Sequence, residues 1–147
     1  MHLIIKFIKK PIADKFLYIE ATFWLGISRL AVLTLPFRWI APFLGTHMAT
    51  SDEHDKTDEN GARKTKIPVA RAILTMSRNL PWESKCLVQA ISGKMMLNRR
   101  KVPSTIYLGV TKKENGDLNA HAWLRAGNLV ILGGGGLDKF AVVSTFT

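Results

Sequence analysis

Cysteine is almost absent from the sequence, since Cys86 is the single cysteine among 147 residues. One thiol excludes an intramolecular disulfide framework, and it excludes zinc or iron–sulfur sites built from several cysteines. The 4 histidines are too scattered along the chain to suggest a histidine metal site. We therefore expect neither a bound metal nor a cofactor.

Acidic residues are scarce: 11 Asp and Glu stand against 21 Lys and Arg, which gives a formal net charge of +10. Such a charge favours an anionic partner, whether nucleic acid, a phospholipid surface or an acidic protein or peptide. The densest basic run, Arg99-Arg100-Lys101, is interpreted as a solvated helix end. No zinc-finger, KH or RRM signature accompanies it, so we do not expect a nucleic-acid partner.

Long uncharged hydrophobic runs are also missing. Residues 16–43 are strongly apolar, but Arg29 divides them into runs shorter than the roughly 18 residues that a membrane-spanning helix needs. No secretory signal precedes them, because the N-terminal lysines follow the first apolar stretch instead of preceding it. We therefore expect a cytoplasmic protein, with membrane association as the alternative.

The apolar segment predicts a helix of about 20 residues followed by a short helix at 37–44. The first of these is apolar on all sides, and a helix of that kind is buried on more than one side. Residues 16–44 are therefore predicted to dock on a partner protein, on a second copy of the chain or on a membrane surface.

The composition divides the chain into three parts. Residues 46–66 are polar and charged, with almost no apolar side chains, which is typical of a linker. This linker is predicted to join an apolar helical extension at 1–45 to a core at 67–147. Within the core, one helix is expected to start at Pro68, and a second is expected to be N-capped by Ser84.

After the second helix the hydrophobic period changes from helical to two. The pattern predicts strands at 105–111, 118–125, 129–132 and 141–146. Asn115-Gly116 is typical of a hairpin turn between the first two strands. The expected fold class is α+β, with helices covering one face of a small antiparallel sheet.

Cys86 and His121 are the candidate catalytic residues. Cys86 lies in the first turn of the second predicted helix, where unpaired N–H groups, the helix dipole and Lys85 favour a thiolate. The same N–H groups could hold the oxyanion of a tetrahedral intermediate. His121, in the middle of a strand, could take the thiol proton and give a proton to a leaving amine. The alternative is structural: a buried thiol that packs as a small hydrophobe, and a satisfied histidine.

Three motifs carry a resemblance to a known family. They are Trp82-x3-Cys86-Leu87, Tyr107-Leu108-Gly109-Val110 and Ala120-His121-Ala122-Trp123. In this order they resemble the lasso-peptide biosynthesis B proteins, whose transglutaminase-like core is related to papain-type cysteine proteases. The resemblance covers residues 67–147, and the apolar extension is similar to the helical extension of that family. The chain is too short to include a winged-helix leader-recognition domain, so it resembles the split type, in which that domain is a separate protein.

The resemblance implies a cysteine peptidase that removes the leader from a ribosomally made precursor peptide. It implies two protein partners, a small leader-recognition protein and an ATP-dependent lasso cyclase. Two other functions stay open: a catalytically inactive binding module of the same assembly, and an acyl transferase of the transglutaminase type.

The resemblance also implies roles for particular residues. Cys86 matches the nucleophile of the family and His121 matches its base. The third catalytic member is expected shortly after the histidine, where Asp138 is the nearest downstream carboxylate and Asn128 is an amide alternative. The candidate substrate-binding residues, which could equally be core residues, are Trp82, Gln89 and Trp123.

Overall fold

The computed structural model describes residues 8–9, 11–44, 59–82, 84–126, 129–134 and 137–147. Within those residues, four helices and a four-stranded antiparallel sheet form the predicted α+β fold. The helices are α1 (Ile12–Thr34), α2 (Phe37–Ile40), α3 (Glu59–Asn79) and α4 (Cys86–Arg99), with 3₁₀ helices at Ala41–Leu44 and Leu137–Lys139. The strands are β1 (Thr105–Lys112), β2 (Leu118–Ala126), β3 (Leu129–Leu132) and β4 (Ala141–Phe146).

The N-terminal helix α1 has two different faces. Its buried face packs on α3 and α4, and it carries Tyr18, Ala21, Leu25 and Ser28 at helical spacing. Its other face leaves large apolar side chains exposed. The helix ends before Pro36, and α2 with the following 3₁₀ turn confirms the predicted short second helix. By length and composition α1 could cross a membrane, a property that core helices of soluble proteins share.

Helix α3 begins at Glu59, so the prediction that it starts at Pro68 is wrong. A proline inside a helix removes one backbone hydrogen bond. Here the buried Val69 and Ile73 hold the following turns in the core, and the residues before the proline are mostly good helix formers. Residues 59–66 of the predicted linker are therefore helical, because a polar composition does not by itself exclude a helix. Residues 46–58 lie outside the described part, and the division into three parts stays a prediction.

The start of α4 also differs from the prediction, because Lys85 and not Ser84 is the N-cap residue. The Oγ atom of Ser84 is buried and has no hydrogen-bond partner among the described residues. Gln89, and not the Ser84 hydroxyl, stabilises the start of α4. Its backbone N–H donates to the Lys85 carbonyl at 3.0 Å, and its side-chain Nε2 donates to the Ser84 carbonyl at 2.9 Å. Cys86 is consequently the first residue of the helix.

The C-terminal end of α4 is bound to α1 through Glu20. Arg100 donates to both carboxylate oxygens of Glu20, at 2.6 and 3.0 Å, and Arg99 donates to one of them at 2.6 Å. Burial alone would raise the pKa of Glu20, but hydrogen bonds and attraction from Arg100 and Arg99 outweigh it and hold that pKa below its ordinary value. The basic run lies at the end of α4 and is largely exposed, as predicted, but Arg99 and Arg100 also bind Glu20 of α1, which the sequence did not indicate.

The strands follow the order β3-β2-β1-β4, and the predicted hairpin at Asn115-Gly116 is confirmed. Side chains alternate between the two faces of the sheet. Helix α4 packs on the face that carries Ile106 and Leu124. A Cβ atom at Gly93 would lie 2.6 Å from Leu132 and 2.9 Å from Leu124, so glycine is what lets this helix approach the sheet closely.

Candidate functional site

Cys86 opens onto a cavity of about 280 Å³ between α4, α2 and the sheet. The thiol is free and half-buried. The cavity wall is almost entirely apolar, and its side chains come from Phe37, Leu87, Leu108, Val110, Ala120, Ala122 and Val143. The N-terminal extension therefore contributes to the surroundings of Cys86 through Phe37, a contact between segments far apart in the chain.

His121 contributes to the wall of the same cavity. Its Nε2 atom lies 2.7 Å from the carbonyl oxygen of Gly133. A carbonyl only accepts hydrogen bonds, so Nε2 carries the proton, and in the neutral ring Nδ1 is the basic nitrogen. The ring packs against Phe140, with 5.1 Å between ring centroids, and against Trp123 at 6.1 Å. These contacts fix the ring and assign Nδ1 as the atom able to take a proton.

The structure brings Cys86 and His121 to one cavity but does not join them by a hydrogen bond within the described residues. The alternation of side chains along β2 explains the separation. His121 shares the face of Trp123, whereas Ala122 points to the opposite face, on which α4 packs. A catalytic pair therefore requires β2 to rearrange so that the imidazole reaches the face on which α4 packs, and a change of side-chain rotamer alone would not bring the two groups together.

None of the three residues predicted to bind substrate lines the cavity of Cys86. Gln89 supports the turn before Cys86, as described above, and its Nε2 also lies 3.5 Å from the Ser77 hydroxyl. Trp82 packs near α1 beside Gly26, and its Nε1 is buried with no hydrogen-bond partner among the described residues. Trp123 is buried, with its ring stacked on Tyr107 at 5.4 Å and beside His121. It supports the imidazole from the side away from α4.

Asp138 lies in the 3₁₀ helix directly before Phe140, the residue that packs on His121. Its side chain lies outside the described part of the structure, as does residue 128. The Gly133 carbonyl occupies Nε2, the nitrogen that a third catalytic member would bind. Sequence reasoning missed this acceptor, because a backbone carbonyl is common to all residues and no motif indicates it.

Gly133 has a structural reason to be glycine. Its φ angle is +73°, and an added Cβ atom would lie 2.5 Å from the Ala122 carbonyl oxygen. Both the left-handed backbone and the close approach to β2 exclude larger residues. The glycine run in the sequence is the signal that could have indicated this contact.

Among the described residues, no group of three or more histidine, cysteine or acidic side chains could hold a metal ion. The reactive groups that the site presents are a thiol at a helix N-terminus and an imidazole with a basic Nδ1. These groups are suited to acyl transfer through a thioester.

One known family matches most of this chain. Residues 31–145 match the family described as the transglutaminase-like superfamily, and the match spans Cys86, His121, the first three strands and all but the last residue of β4. No curated protein and no solved structure matches the chain. Since the match spans well over half of the sequence, the chain belongs to the transglutaminase-like superfamily.

Proposed function

We propose that this protein is a cysteine peptidase that removes the leader from a ribosomally made lasso-peptide precursor. The superfamily includes cysteine proteases, and the motifs around Cys86 and His121 resemble the lasso-peptide B proteins. The observation that carries the proposal is the position of the Cys86 thiol, at the first residue of α4 and in a cavity whose wall includes His121.

The proposed reaction has two steps. Nδ1 of His121 takes the thiol proton, and the sulfur of Cys86 attacks the scissile carbonyl while N–H groups of the first turn of α4 hold the oxyanion. The imidazolium then gives its proton to the leaving amine, and the leader remains on Cys86 as a thioester. Water, deprotonated by the same nitrogen, releases the leader as a carboxylate.

The chain acts, in this proposal, with a separate leader-recognition protein and with an ATP-dependent lasso cyclase that joins the freed core peptide. The separation of His121 from Cys86 makes the proposed activity depend on an event that brings the thiol and the imidazole together. We propose that binding of the precursor and its recognition protein is this event.

An exposed apolar stripe on α1 is the proposed docking surface for the leader-recognition protein. The stripe consists of Ile12, Phe16, Ile19, Phe23, Ile27, Leu30 and Leu33, which are between 45% and 71% exposed. The opposite face of α1 is already buried in the core, so the stripe is left for a partner. The stripe ends a few residues before Phe37, which lines the cavity of Cys86. A partner bound to the stripe would therefore contact a segment that leads directly to this cavity. Membrane association through residues 16–44 is the alternative use of the same surface.

An acyl transferase of the transglutaminase type is the second candidate. The apolar wall of the cavity favours it, because a thioester shielded from water survives until an amine arrives. The third candidate, an inactive binding module, is favoured by the missing hydrogen bond between Cys86 and His121. The mass of the released product separates the first two candidates, and the effect of Cys86→Ala separates both from the third.

The test uses the short precursor and the small recognition protein that the proposal expects to be encoded in neighbouring reading frames. Cys86→Ala should abolish cleavage while the chain remains folded. Ser84→Ala is the matched control, because it removes a buried hydroxyl two residues away that has no hydrogen-bond partner among the described residues. Cleavage by Cys86→Ala at the rate of the unchanged chain would contradict the proposal.

A further inference from the structure

A second groove lies between α3 and strand β3. Its volume is about 420 Å³. The helix contributes Ile67, Arg71, Leu74 and Arg78, which are spaced along one helix face, and the strand contributes Leu129 and Val130. The groove shares no lining residue with the cavity of Cys86.

Strand β3 has an unpaired edge along this groove. It is the terminal strand of the sheet and pairs on one side with β2. Its outward N–H and C=O groups have no partner among the described residues. Leu129 and Val130 are also 39% and 36% exposed. An edge of this kind is a template on which another extended chain can form main-chain hydrogen bonds.

Two arginines determine which chain fits. Arg71 and Arg78 are exposed, and neither has an ion pair or a hydrogen bond within the described residues, unlike the Arg99 and Arg100 side chains that bind Glu20. Seven residues of helix separate them by about 10 Å. An extended peptide carries side chains on one face roughly every 7 Å, so carboxylates two or four residues apart reach both arginines.

We propose that the groove between α3 and β3 binds an acidic, extended segment of the substrate peptide, which adds to β3 as a further strand. This inference rests on the proposed function, because a peptidase must hold its peptide. Beyond its C-terminal end β3 leads into Gly133, whose carbonyl oxygen binds His121. A peptide paired along β3 is therefore directed towards the candidate base. A second copy of the chain fits poorly, because it would place its own Arg71 and Arg78 against this edge.

The experiment measures binding by the intact chain and needs no cleavage. The probe is a fluorescein-labelled peptide of ten alternating glutamates and valines. Arg71→Glu with Arg78→Glu should weaken binding about tenfold or more, since two charge-assisted contacts are lost. Lys112→Glu with Lys113→Glu makes the same change in net charge at exposed residues of the hairpin, outside the groove, and should change binding less than twofold. Thermal unfolding checks that both pairs remain folded.

A second probe tests the strand pairing without changing the protein. The same peptide, N-methylated at every second residue, keeps its charge but loses half of its backbone donors. We expect it to bind about tenfold more weakly, and we expect the unmodified peptide to slow amide exchange in residues 129–132.

Three outcomes would overturn the inference: equal weakening by the two pairs of substitutions, equal binding of the N-methylated peptide, or equally tight binding of a ten-nucleotide oligothymidylate that competes with the peptide. Each would indicate a general polyanion surface. In all three cases, cleavage that depends on Cys86 could still be observed. The groove can therefore be shown not to bind the peptide without contradicting the proposal that the chain is a peptidase.

Discussion

The hydrogen bond between His121 Nε2 and the Gly133 carbonyl, at 2.7 Å, assigns the basic nitrogen of the candidate site. It leaves Nδ1 without the proton in the neutral ring. Because Gly133 is also the first residue after β3, the same contact joins the candidate base to the edge strand of the proposed peptide groove. The chemistry and the binding of substrate are thereby connected through one backbone carbonyl.

Gly133→Ala should impair both stability and cleavage. The left-handed φ costs an alanine about 1–2 kcal/mol, and the new Cβ atom would lie 2.5 Å from the Ala122 carbonyl. Moving the loop releases His121, so kcat should fall about tenfold or more. Gly116→Ala is the matched control, because Gly116 also has a positive φ, of +90°, but no atom within 4 Å of the added Cβ. An equal loss of kcat in both variants, measured at equal folded fraction, would argue against a role of the Gly133 carbonyl.

Glu20→Gln should destabilise the fold by about 1 kcal/mol at pH 7, because it weakens the ion pairs of a partly exposed carboxylate with Arg99 and Arg100. The pKa of Glu20 is lower in the folded chain than in the unfolded chain. Its stabilisation is therefore fully present above the unfolded pKa of about 4.5 and is lost as the pH falls through the folded pKa. Urea unfolding from pH 7 to pH 3 measures this loss.

Glu114→Gln serves as the control for that series, because Glu114 is an exposed residue of the hairpin turn. We expect its unfolding curve to follow that of the unchanged chain at every pH. If Glu20→Gln and Glu114→Gln have the same stability at pH 7, the contact of α1 with the end of α4 does not stabilise the fold.

Lys94 should make stability rise with pH in the alkaline range. Burial lowers the pKa of Lys94 from 10.5 to about 8, and its Nζ donates to the Ser104 carbonyl at 2.7 Å. Between those two pH values the unfolded chain binds more protons than the folded chain, so the free energy of unfolding increases with pH. Lys94→Met should lack this increase when urea unfolding is compared at pH 7 and pH 9.5. A slope unchanged by Lys94→Met, with Lys64→Met as the exposed control, would show that Lys94 is not the group responsible.

The apolar stripe of α1 should be required for assembly but not for folding. Phe16→Asn with Phe23→Asn should weaken binding of the leader-recognition protein about tenfold or more, because both rings are over half exposed in the isolated chain and are free to be buried by a partner. Leu118→Asn is the control, since Leu118 is 72% exposed at the far end of the hairpin. Calorimetry with the recognition protein, and sedimentation with anionic vesicles, would distinguish protein docking from membrane association.

The sequence predicts the parts of this fold that depend on local physics. The period-two pattern locates the strands, Asn115-Gly116 locates the hairpin, and Cys86 is correctly assigned to the first turn of a helix. Two errors are local, because α3 begins before Pro68 and because Lys85, not Ser84, is the N-cap residue of α4. The other misses concern contacts between distant segments. The pairing of Glu20 with the end of α4 and the position of Phe37 beside Cys86 depend on which elements pack together, which one sequence does not reveal.

The candidate site shows the same division. The pattern names Cys86 and His121, and both line one cavity. The group that accepts the hydrogen bond from Nε2 is a backbone carbonyl. Every residue has one, so no sequence motif indicates which carbonyl binds the histidine. Trp123, interpreted from sequence as a possible cleft residue, supports the imidazole from the face away from α4 because strand alternation places it beside His121.

The most direct test of the account is an acid-quenched single turnover of the precursor in water labelled with heavy oxygen. The account predicts a leader thioester on Cys86 at early times, followed by a free leader with one heavy oxygen atom in its new carboxylate. Cys86→Ala should give neither species. A leader released by Cys86→Ala, or a leader that appears without passing through Cys86, would contradict the central claim that this cysteine is the nucleophile.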